Sequence, residues 1–408
     1  MSSGSVPPEV DFGPDAREVA AEARAWLAVH AEAGRDFIDM SGIAQGGAWV
    51  DLLREQRWLC LSWPESVGGR GLTGLQAAAV DAEFHRAGVA RPRLGMGETL
   101  VGPAVIVHGT DDQRRAFLPR ILDGTDRYCQ GFSEPDAGSD LASLQTRGVV
   151  DGDELVVTGQ KVWTSWYWDA TMMFALVRTD PEAPKHEGIS YVLLPLGRDE
   201  AFTPTNGVTF HPLRMITGHD HFASTFLDEA RAPLFNVIGG LGNGWKVSKT
   251  TLGSERGGSA ATKQVGYEHA LRGLIAEAHR RGRSDDPVLR QRLARAHTTV
   301  ELIRYSGMRT LASLIERGES GPAASVAKLL WSEHHRTFGE LALDVLGADA
   351  LIGEEGDGYE LNLWQVDFLG SRSSTIWGGT SEIQRNIIAE RVLGLPREPE
   401  QGLLPLRG

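Results

Sequence analysis

The stretch Tyr128-Cys-Gln-Gly-Phe-Ser-Glu-Pro-Asp-Ala-Gly-Ser-Asp-Leu141 decides how the rest of the chain is interpreted. It begins where a helical pattern gives way to strand-like sequence. Pro135 fixes its own φ and removes one N–H, and Gly138 permits backbone conformations that other residues avoid. Backbone N–H groups and hydroxyls gathered in this way suit a ligand rich in oxygen atoms. Local chemistry alone, however, favours the plainer interpretation, a polar loop between two layers.

Composition limits the classes of function. The chain has 408 residues, enough for two or three domains, and its formal net charge of −13 disfavours a nucleic-acid partner. Only Cys60 and Cys129 occur, which predicts no metal knuckle and fits a reducing, cytoplasmic setting. The first residues lack the features of a signal peptide. No apolar run reaches about 18 residues, so we expect a soluble protein with no membrane-spanning segment.

Periodicity divides the chain into three domains and a tail. Apolar residues at helical spacing predict an N-terminal α-helical domain over residues 1–125. Closely spaced strands then predict a middle β-domain over residues 126–240, and long helices return over residues 241–396. Residues 397–408 form a tail. The predicted fold class is α+β multidomain: a helical domain, an antiparallel β-barrel or sandwich, and a C-terminal four-helix bundle.

Local signals place the elements within these domains. Asp151-Gly152-Asp153 is a hairpin signal between two strands. The predicted helices of the first domain cover Trp49–Trp58, Gly74–Ala87 and Gly97–Leu122. The predicted helices of the last domain cover Trp245–Arg281, Pro287–Arg317, Ala323–Leu346 and the residues from Thr380 to Gly394.

Three motifs carry a resemblance to a known family. Phe132-Ser-Glu-Pro-Asp-Ala-Gly-Ser-Asp140 resembles the first signature of the acyl-CoA dehydrogenase family, and Gly379-Thr-Ser-Glu-Ile-Gln-Arg-Asn-Ile-Ile-Ala389 resembles its C-terminal signature. Gly159-Gln-Lys-Val-Trp-Thr-Ser165 is similar to its flavin-facing strand. One such match alone is a weak signal, but three in the same order over most of the chain are specific.

The resemblance implies FAD as the cofactor. The chain has neither a G-x-G-x-x-G after a strand nor a P-loop. The resemblance instead implies that FAD is held between the β-domain, the bundle and a neighbouring subunit. It implies flavin contacts from Gln130, Phe132, Ser133, Trp163 and Ser165. Taken by itself, Trp163 is more often a core or interface residue.

Other positions match the family's cofactor contacts less cleanly. Thr380 and Glu382 match flavin contacts, but they fit a plain helix cap and first turn equally well. The resemblance implies that the segment with Asp344 and Gly347 approaches the FAD pyrophosphate, as does Arg281. This chain has Ala348 where the family commonly has a second glycine, and Gly282–Asp285 lack the family's aromatic–glycine pair. Ser139 either contacts CoA or braces its loop.

The resemblance also points to a catalytic base. Many relatives carry a glutamate just before the Gly-Thr of the last signature, and this chain has Gly378 there. A subset, including isovaleryl-type and long-chain-type enzymes, carries the glutamate on the first bundle helix, where this chain has Glu255 followed by Arg256. Glu255 is therefore the candidate base, Arg256 would orient it, and the Gly378 N–H would bind the thioester carbonyl. The alternative is an exposed Glu-Arg pair on a helix surface.

The implied function is FAD-dependent α,β-dehydrogenation of an acyl-CoA to the trans-2-enoyl-CoA, with flavin N5 receiving the hydride. Small residues near the base favour a long, branched or ring-bearing acyl chain. The resemblance implies an electron-transfer flavoprotein as electron acceptor and a homodimer or homotetramer, or a heteromeric assembly. Two alternatives stay open: a flavin monooxygenase or oxidase of the same fold, and a non-catalytic partner subunit. No metal is expected.

Overall fold

The computed structural model describes residues 13–35, 47–257, 263–317, 321, 323–353 and 360–397. The side chains of residues 255–257, 265, 311, 314–317 and 323 lie outside that description. The chain divides into two compact units, Met1–Gly258 and Ser259–Gly408, called unit 1 and unit 2 below. Of the predicted tail, only residue 397 is described.

Unit 1 opens with α-helices whose ends follow their capping signals. The helices are α1 (Pro14–His30), α2 (Ala48–Glu55), α3 (Gly74–Arg86), α4 (Gly102–His108) and α5 (Asp111–Leu122). The stretch predicted as one helix from Gly97 is divided into a π-helical turn, α4 and α5. The division has a local cause, because Thr110 accepts from the Gln113 amide at 3.2 Å and donates its own N–H to the Gln113 side chain at 2.9 Å. This capping box starts a new helix.

The middle of unit 1 is one eight-stranded sheet. Its strands are β1 (Tyr128–Gly131), β2 (Arg147–Asp151), β3 (Glu154–Ser165), β4 (Met172–Arg178), β5 (Ile189–Pro195), β6 (Val208–Leu213), β7 (Phe222–Pro233) and β8 (Val237–Ile238). The order is β6-β7-β3-β2-β4-β5-β8, with β1 paired to β4. The β2–β3 hairpin forms at the predicted turn. The sheet is mixed rather than antiparallel throughout, since β1 and β4 run parallel.

The sheet separates two hydrophobic clusters. Alternate residues of β4 and β5 face opposite sides, so Phe174 and Tyr191 join the cluster shared with the N-terminal helices, while Met173 and Val192 join the other cluster. Cys60 lies in the first cluster and Cys129 in the second, and both are free thiols. Burial raises the pKa of Cys60 well above its ordinary value and that of Cys129 to about 12.

Helix α6 (Gly244–Gly257) closes unit 1. Val247, Ser248 and Thr251 on one face of this helix are fully buried. The Thr250 hydroxyl also pairs with His108 Nε2 of α4 at 2.7 Å. The prediction that the helix runs unbroken to Arg281 depends on residues 258–262, which lie outside the described part of the chain.

Unit 2 is helical in its described residues. Its helices are α7 (Lys263–Arg280), α8 (Pro287–Arg317), α9 (Ala323–Leu346), α10 (Leu363–Ser374) and α11 (Ser381–Ile387), followed by a π-helical turn. Helix α10 was not predicted, although Asn362 and Gln365 form a capping box at its start. Leu271, Phe338 and Val345 belong to the core of the unit. None of the helices in the described ranges is long and apolar enough to cross a membrane.

Candidate functional site

The loop after β1 is held against the sheet by Phe132 and by its own backbone. Phe132 is buried and packs edge-on against Phe174, at 5.4 Å between ring centroids, and against Tyr191, at 6.0 Å. The amide of Val162 on β3 donates to the carbonyl of Ser133 at 2.9 Å. Ser133 therefore lies beside the part of β3 that carries Trp163, and two of the predicted flavin-binding positions come together.

Trp163 stands on a bulge of β3. The pairing of β3 with β7 shifts register between Lys161 and Thr164, and Trp163 has a φ of +60°. A bulky residue in this conformation is an outlier, and such strain is found most often at functional sites. The indole is 58% exposed and packs edge-on against Phe222, with ring centroids 6.0 Å apart. The bulge therefore turns a large aromatic surface out of the sheet.

Ser165 lies beside this surface, and Gln130 lies on β1, just before the loop. Ser165 follows Trp163 by two residues, and its hydroxyl donates to the Trp163 carbonyl at 3.5 Å. Gln130 is half-buried in β1, opposite Phe174. An exposed indole with the Ser165 hydroxyl on the same strand and Ser133 beside that strand fits a flat heteroaromatic ring that has hydrogen-bonding edges. The residues present thus fit the isoalloxazine ring of FAD.

Ser139 lies further along the same loop and is exposed. The preceding residues close a tight turn, with Glu134 and Ala137 exchanging backbone hydrogen bonds of 3.1 Å. The neighbouring Asp140 carboxylate accepts from Lys185 at 2.7 Å and from Ser143 at 2.5 Å. Ser139 is therefore accessible to a ligand at the outer end of the loop.

A buried ion pair beneath the loop was missed by the sequence reasoning. Lys161 Nζ lies 2.8 Å from Glu134 Oε1, and the two residues are 0% and 8% exposed. Burial lowers the pKa of Lys161 to about 8, against the opposing effect of Glu134. Burial alone would raise the pKa of Glu134, but the charge and hydrogen bond of Lys161 bring it below its ordinary value. Glu134 belongs to the first signature and Lys161 to the flavin-facing strand, so their places in these motifs were the only sign of the pair in the sequence.

Tyr191 joins the loop to helix α6. Its ring packs against Phe132, and its hydroxyl accepts from the Thr251 hydroxyl at 3.5 Å. Position 255 follows Thr251 by one helical turn on the same face of α6. The side chains of Glu255 and Arg256 themselves lie outside the described residues. Tyr191 was not singled out in the sequence, because a buried tyrosine in an apolar strand has no distinguishing pattern.

In unit 2, the segment between α10 and α11 carries the predicted residues Gly378, Thr380 and Glu382. Gly378 and Gly379 have φ values of +63° and +93°, which favour glycine. Thr380 is the N-cap of α11 and accepts from the Ile383 amide at 3.2 Å. Glu382 is exposed, and hydrogen bonds from its own backbone amide and the Thr380 hydroxyl lower its pKa. The helix-cap interpretation of Thr380 is thus observed, and its flavin contact stays a prediction.

The predicted pyrophosphate-binding residues of unit 2 form ion pairs with residues of their own and of neighbouring helices. Arg281 contacts Glu277 at 2.5 Å and also pairs with Asp349, while Asp344 pairs with Arg292. The Arg281 guanidinium donates to the Leu346 carbonyl at 3.2 Å. Gly347 follows α9 with a φ of +65°. The structure therefore brings Arg281, Asp344 and Gly347 to one end of α9. No cluster of metal ligands occurs among the described residues.

Comparisons with known proteins identify the family. Three family models match in order: the N-terminal domain of acyl-CoA dehydrogenase over residues 13–125, the middle domain over residues 129–228, and the C-terminal domain over residues 242–393. The chain belongs to the acyl-CoA dehydrogenase family. This acyl-CoA dehydrogenase family member is 42% identical over 400 residues to the acyl-CoA dehydrogenase IpdE1 of Mycobacterium tuberculosis, covering 94% of this chain and 99% of the relative.

Solved structures agree with this assignment. The Tcur3481-Tcur3483 steroid ACAD is 30% identical, with a TM-score of 0.77, covering 95% of this chain and 100% of that one. The ChsE4-ChsE5 complex from Mycobacterium tuberculosis is 30% identical, with a TM-score of 0.74, covering 96% of this chain and 100% of that one. These comparisons confirm the predicted family, the order of a helical, a β and a helical domain, the oxidoreductase class, and FAD as cofactor.

Proposed function

We propose that this enzyme converts an acyl-CoA thioester to the trans-2-enoyl-CoA, with Glu255 taking the Cα proton. The observation that carries the proposal is the line of contacts from Phe132 through Tyr191 to Thr251, which fixes α6 beside the loop of the first signature. Glu255 follows Thr251 by one turn, about 6 Å along the helix axis. Position 255 follows the buried residues Val247, Ser248 and Thr251 at helical spacing, which supports the base over the alternative of an exposed surface pair.

The chemistry requires help from several groups. The Cα–H bond breaks when Glu255 accepts the proton, and the developing charge on the thioester oxygen needs a hydrogen-bond donor. The N–H of Gly378 is our candidate for that donor, and Arg256 orients the Glu255 carboxylate. FAD, when bound, would supply the acceptor for the hydride that leaves Cβ. The electron pair of the broken Cα–H bond becomes the π bond between Cα and Cβ, and the hydride leaves Cβ with the pair of the second C–H bond.

We assign the cofactor contacts as follows. In unit 1, the loop and the β3 bulge hold the ring through Gln130, Phe132, Ser133, Trp163 and Ser165, and Ser139 lies near the CoA moiety. In unit 2, Thr380 and Glu382 contact the flavin. Arg281, Asp344 and Gly347 serve the pyrophosphate of FAD, and Arg281 exchanges its present carboxylate partners for that anion.

For the substrate we propose a ring-bearing acyl-CoA. Glycine stands at positions 253, 257, 258 and 378, which favours a bulky acyl group, and a solved relative is titled a steroid ACAD. We further propose an electron-transfer flavoprotein as the electron acceptor. A second chain in the assembly is also proposed, because two of the solved relatives are named as pairs of chains.

The test is Glu255→Gln with anaerobic flavin bleaching by a panel of acyl-CoA esters. We expect bound flavin to be retained and the rate of bleaching to fall by at least about 10³-fold, because the proton acceptor is gone while the shape is kept. Glu182→Gln is the matched control, since Glu182 is an exposed glutamate of the same unit. Near-normal bleaching in Glu255→Gln would reject the base. Fastest bleaching by butyryl-CoA would reject the bulky substrate.

The second candidate function is that of a non-catalytic partner subunit. Ala348 and the Gly282–Asp285 segment depart from the family's cofactor-binding pattern, which favours it. The partner role predicts that the chain purified alone contains no flavin and gains flavin only when a second chain is added. It also predicts that Glu255→Gln leaves the rate of flavin bleaching in the mixture unchanged. Both results together would support the partner role and reject the dehydrogenase role.

A further inference from the structure

The buried Lys161 has a set of partners that the proposed chemistry leaves unexplained. Its ammonium group donates to Glu134 Oε1 at 2.8 Å, to the Leu176 carbonyl at 2.7 Å and to the Phe132 carbonyl at 3.2 Å. A lysine ammonium has three N–H donors, and each of them has an acceptor here. Lysine is rarely buried completely, so this arrangement calls for a physical reason.

The three acceptors fasten the loop after β1 to the sheet. Leu176 lies on β4, in the interior of the sheet, while Phe132 and Glu134 belong to the loop. Glu134 also accepts from the Gln145 amide at 2.7 Å and from the Thr146 amide at 2.9 Å, just before β2. Lys161 is therefore the point at which the loop, β3 and β4 meet.

The direction of one backbone amide follows from these contacts. The peptide group between Phe132 and Ser133 is planar and trans, so its N–H points opposite to its C=O. Because the Phe132 carbonyl points at Lys161 Nζ, the Ser133 N–H points away from Lys161. The next carbonyl, of Ser133, is held by the Val162 amide at 2.9 Å. Both peptide groups that flank Ser133 are thus fixed by adjacent residues of β3.

Stability alone is a weak reason for such a pair. Removing two charges from water costs several kcal/mol per ion, and well-packed apolar replacements of buried pairs are often as stable or more stable. We propose that Lys161 is a positioning residue for the cofactor: it sets the orientation of the Ser133 amide that faces the flavin edge. The inference rests on the proposed flavin contact of Ser133. It goes beyond that contact because Lys161, which touches no ligand, determines the direction of the Ser133 amide.

Variants of Lys161 and Glu134 can separate the effect of the buried charges from the effect of the hydrogen bond to the Phe132 carbonyl. With Glu134→Gln the carboxylate is lost, but the Lys161 amine still donates to the Phe132 carbonyl. Burial already lowers the pKa of Lys161 to about 8, so a neutral donor is accessible to this side chain. With Lys161→Met the donor is lost and Glu134 is left as a buried, unpaired charge. The double variant Lys161→Met/Glu134→Gln removes that charge but does not restore the donor.

The experiment titrates deflavinated enzyme, in the assembly in which it is purified, with FAD. Far-UV circular dichroism and the melting temperature of the apoprotein are measured in parallel. We expect the Kd for FAD to rise at least about tenfold in Lys161→Met and in the double variant, because a charge-assisted hydrogen bond that orients the amide is lost. The double variant should recover most of the decrease in melting temperature that Lys161→Met causes. Glu134→Gln should stay within about threefold of wild type in Kd.

The positioning role also predicts a spectroscopic change. The absorption maxima and the reduction potential of bound flavin should shift in the double variant and stay near wild type in Glu134→Gln. Glu154→Gln, at the exposed end of the same strand, is the control and should change neither quantity. If the double variant regains both melting temperature and wild-type flavin affinity, or if Glu134→Gln loses as much affinity as Lys161→Met, the inference is wrong. These readouts need no acyl-CoA, so they stand whether or not Glu255 proves to be the base.

Discussion

Replacement of His334 by leucine should remove a specific source of acid instability in unit 2. His334 lies on α9, is 4% exposed, and packs against Tyr267 of α7 and Phe338. Its Nε2 atom has no hydrogen-bond partner among the described residues. Burial lowers the pKa of His334 to about 4, the neighbouring His335 acts in the same direction, and Asp367 of α10 opposes them. The histidine is therefore buried in its neutral form.

The sign and size of the effect follow from linkage. The unfolded chain has a histidine pKa of about 6.5, so between that value and about 4 the unfolded state binds more protons than the folded state. The free energy of unfolding therefore falls as the pH falls through this window. From about pH 7.5 to about pH 5 the predicted loss from this one residue is about 2 kcal/mol. For a cooperative unit of this size, that corresponds to about 4–8 °C in melting temperature.

Differential scanning calorimetry at both pH values measures the effect. Wild type should lose about 4–8 °C more than His334→Leu on acidification, since the variant has no proton to bind at this position. His297→Leu, an exposed histidine on α8, is the matched control and should keep the wild-type pH dependence. The absolute stability of the variants is irrelevant to the comparison. Equal pH dependence in wild type and His334→Leu would refute the reasoning.

Three glycine substitutions test the local space and backbone conformation at their positions. Gly253→Ala adds a Cβ that meets nothing within 4 Å, so it should stabilise α6 by up to about 1 kcal/mol and yet slow turnover of bulky acyl-CoA esters; unchanged turnover across an acyl panel would remove the argument from the roomy pocket. Gly347→Ala forces a φ of +65° on an alanine and should cost about 1–2 kcal/mol, whereas Gly370→Ala in α10, with open space around it, should stabilise the fold. A higher melting temperature in Gly347→Ala, or a lower one in Gly370→Ala, would contradict the corresponding expectation.

The parts of the fold that depend on local signals were predictable from the sequence. The Asp151–Asp153 turn fixes the β2–β3 hairpin, and the proline after Asp286 marks the start of α8. The parallel pairing of β1 with β4 was not predicted, because it joins strands distant in sequence and no turn signal records it. The break at Thr110 was missed although its capping box is local, because apolar residues continue at helical spacing across it.

The candidate site shows the same limit. The motifs gave the positions of Ser133 and Trp163, but not the bulge and the positive φ that turn the indole outward, since both arise from register against β7. Lys161 and Glu134 stood in the quoted motifs, yet a lysine within a strand gives no sign of complete burial. Tyr191, which connects the loop to α6, has an ordinary place in an apolar strand. Contacts between elements decide these features, and the sequence records them only indirectly.

The two thiols give the protein a pair of internal reporters. Cys60 lies in the core under the N-terminal helices and Cys129 in the core on the other face of the sheet, and burial suppresses the thiolate of each. Because only the thiolate reacts with alkylating reagents, the native protein should stay unlabelled. Pulsed alkylation followed by peptide mapping would then time the opening of each layer separately, with no engineered probe.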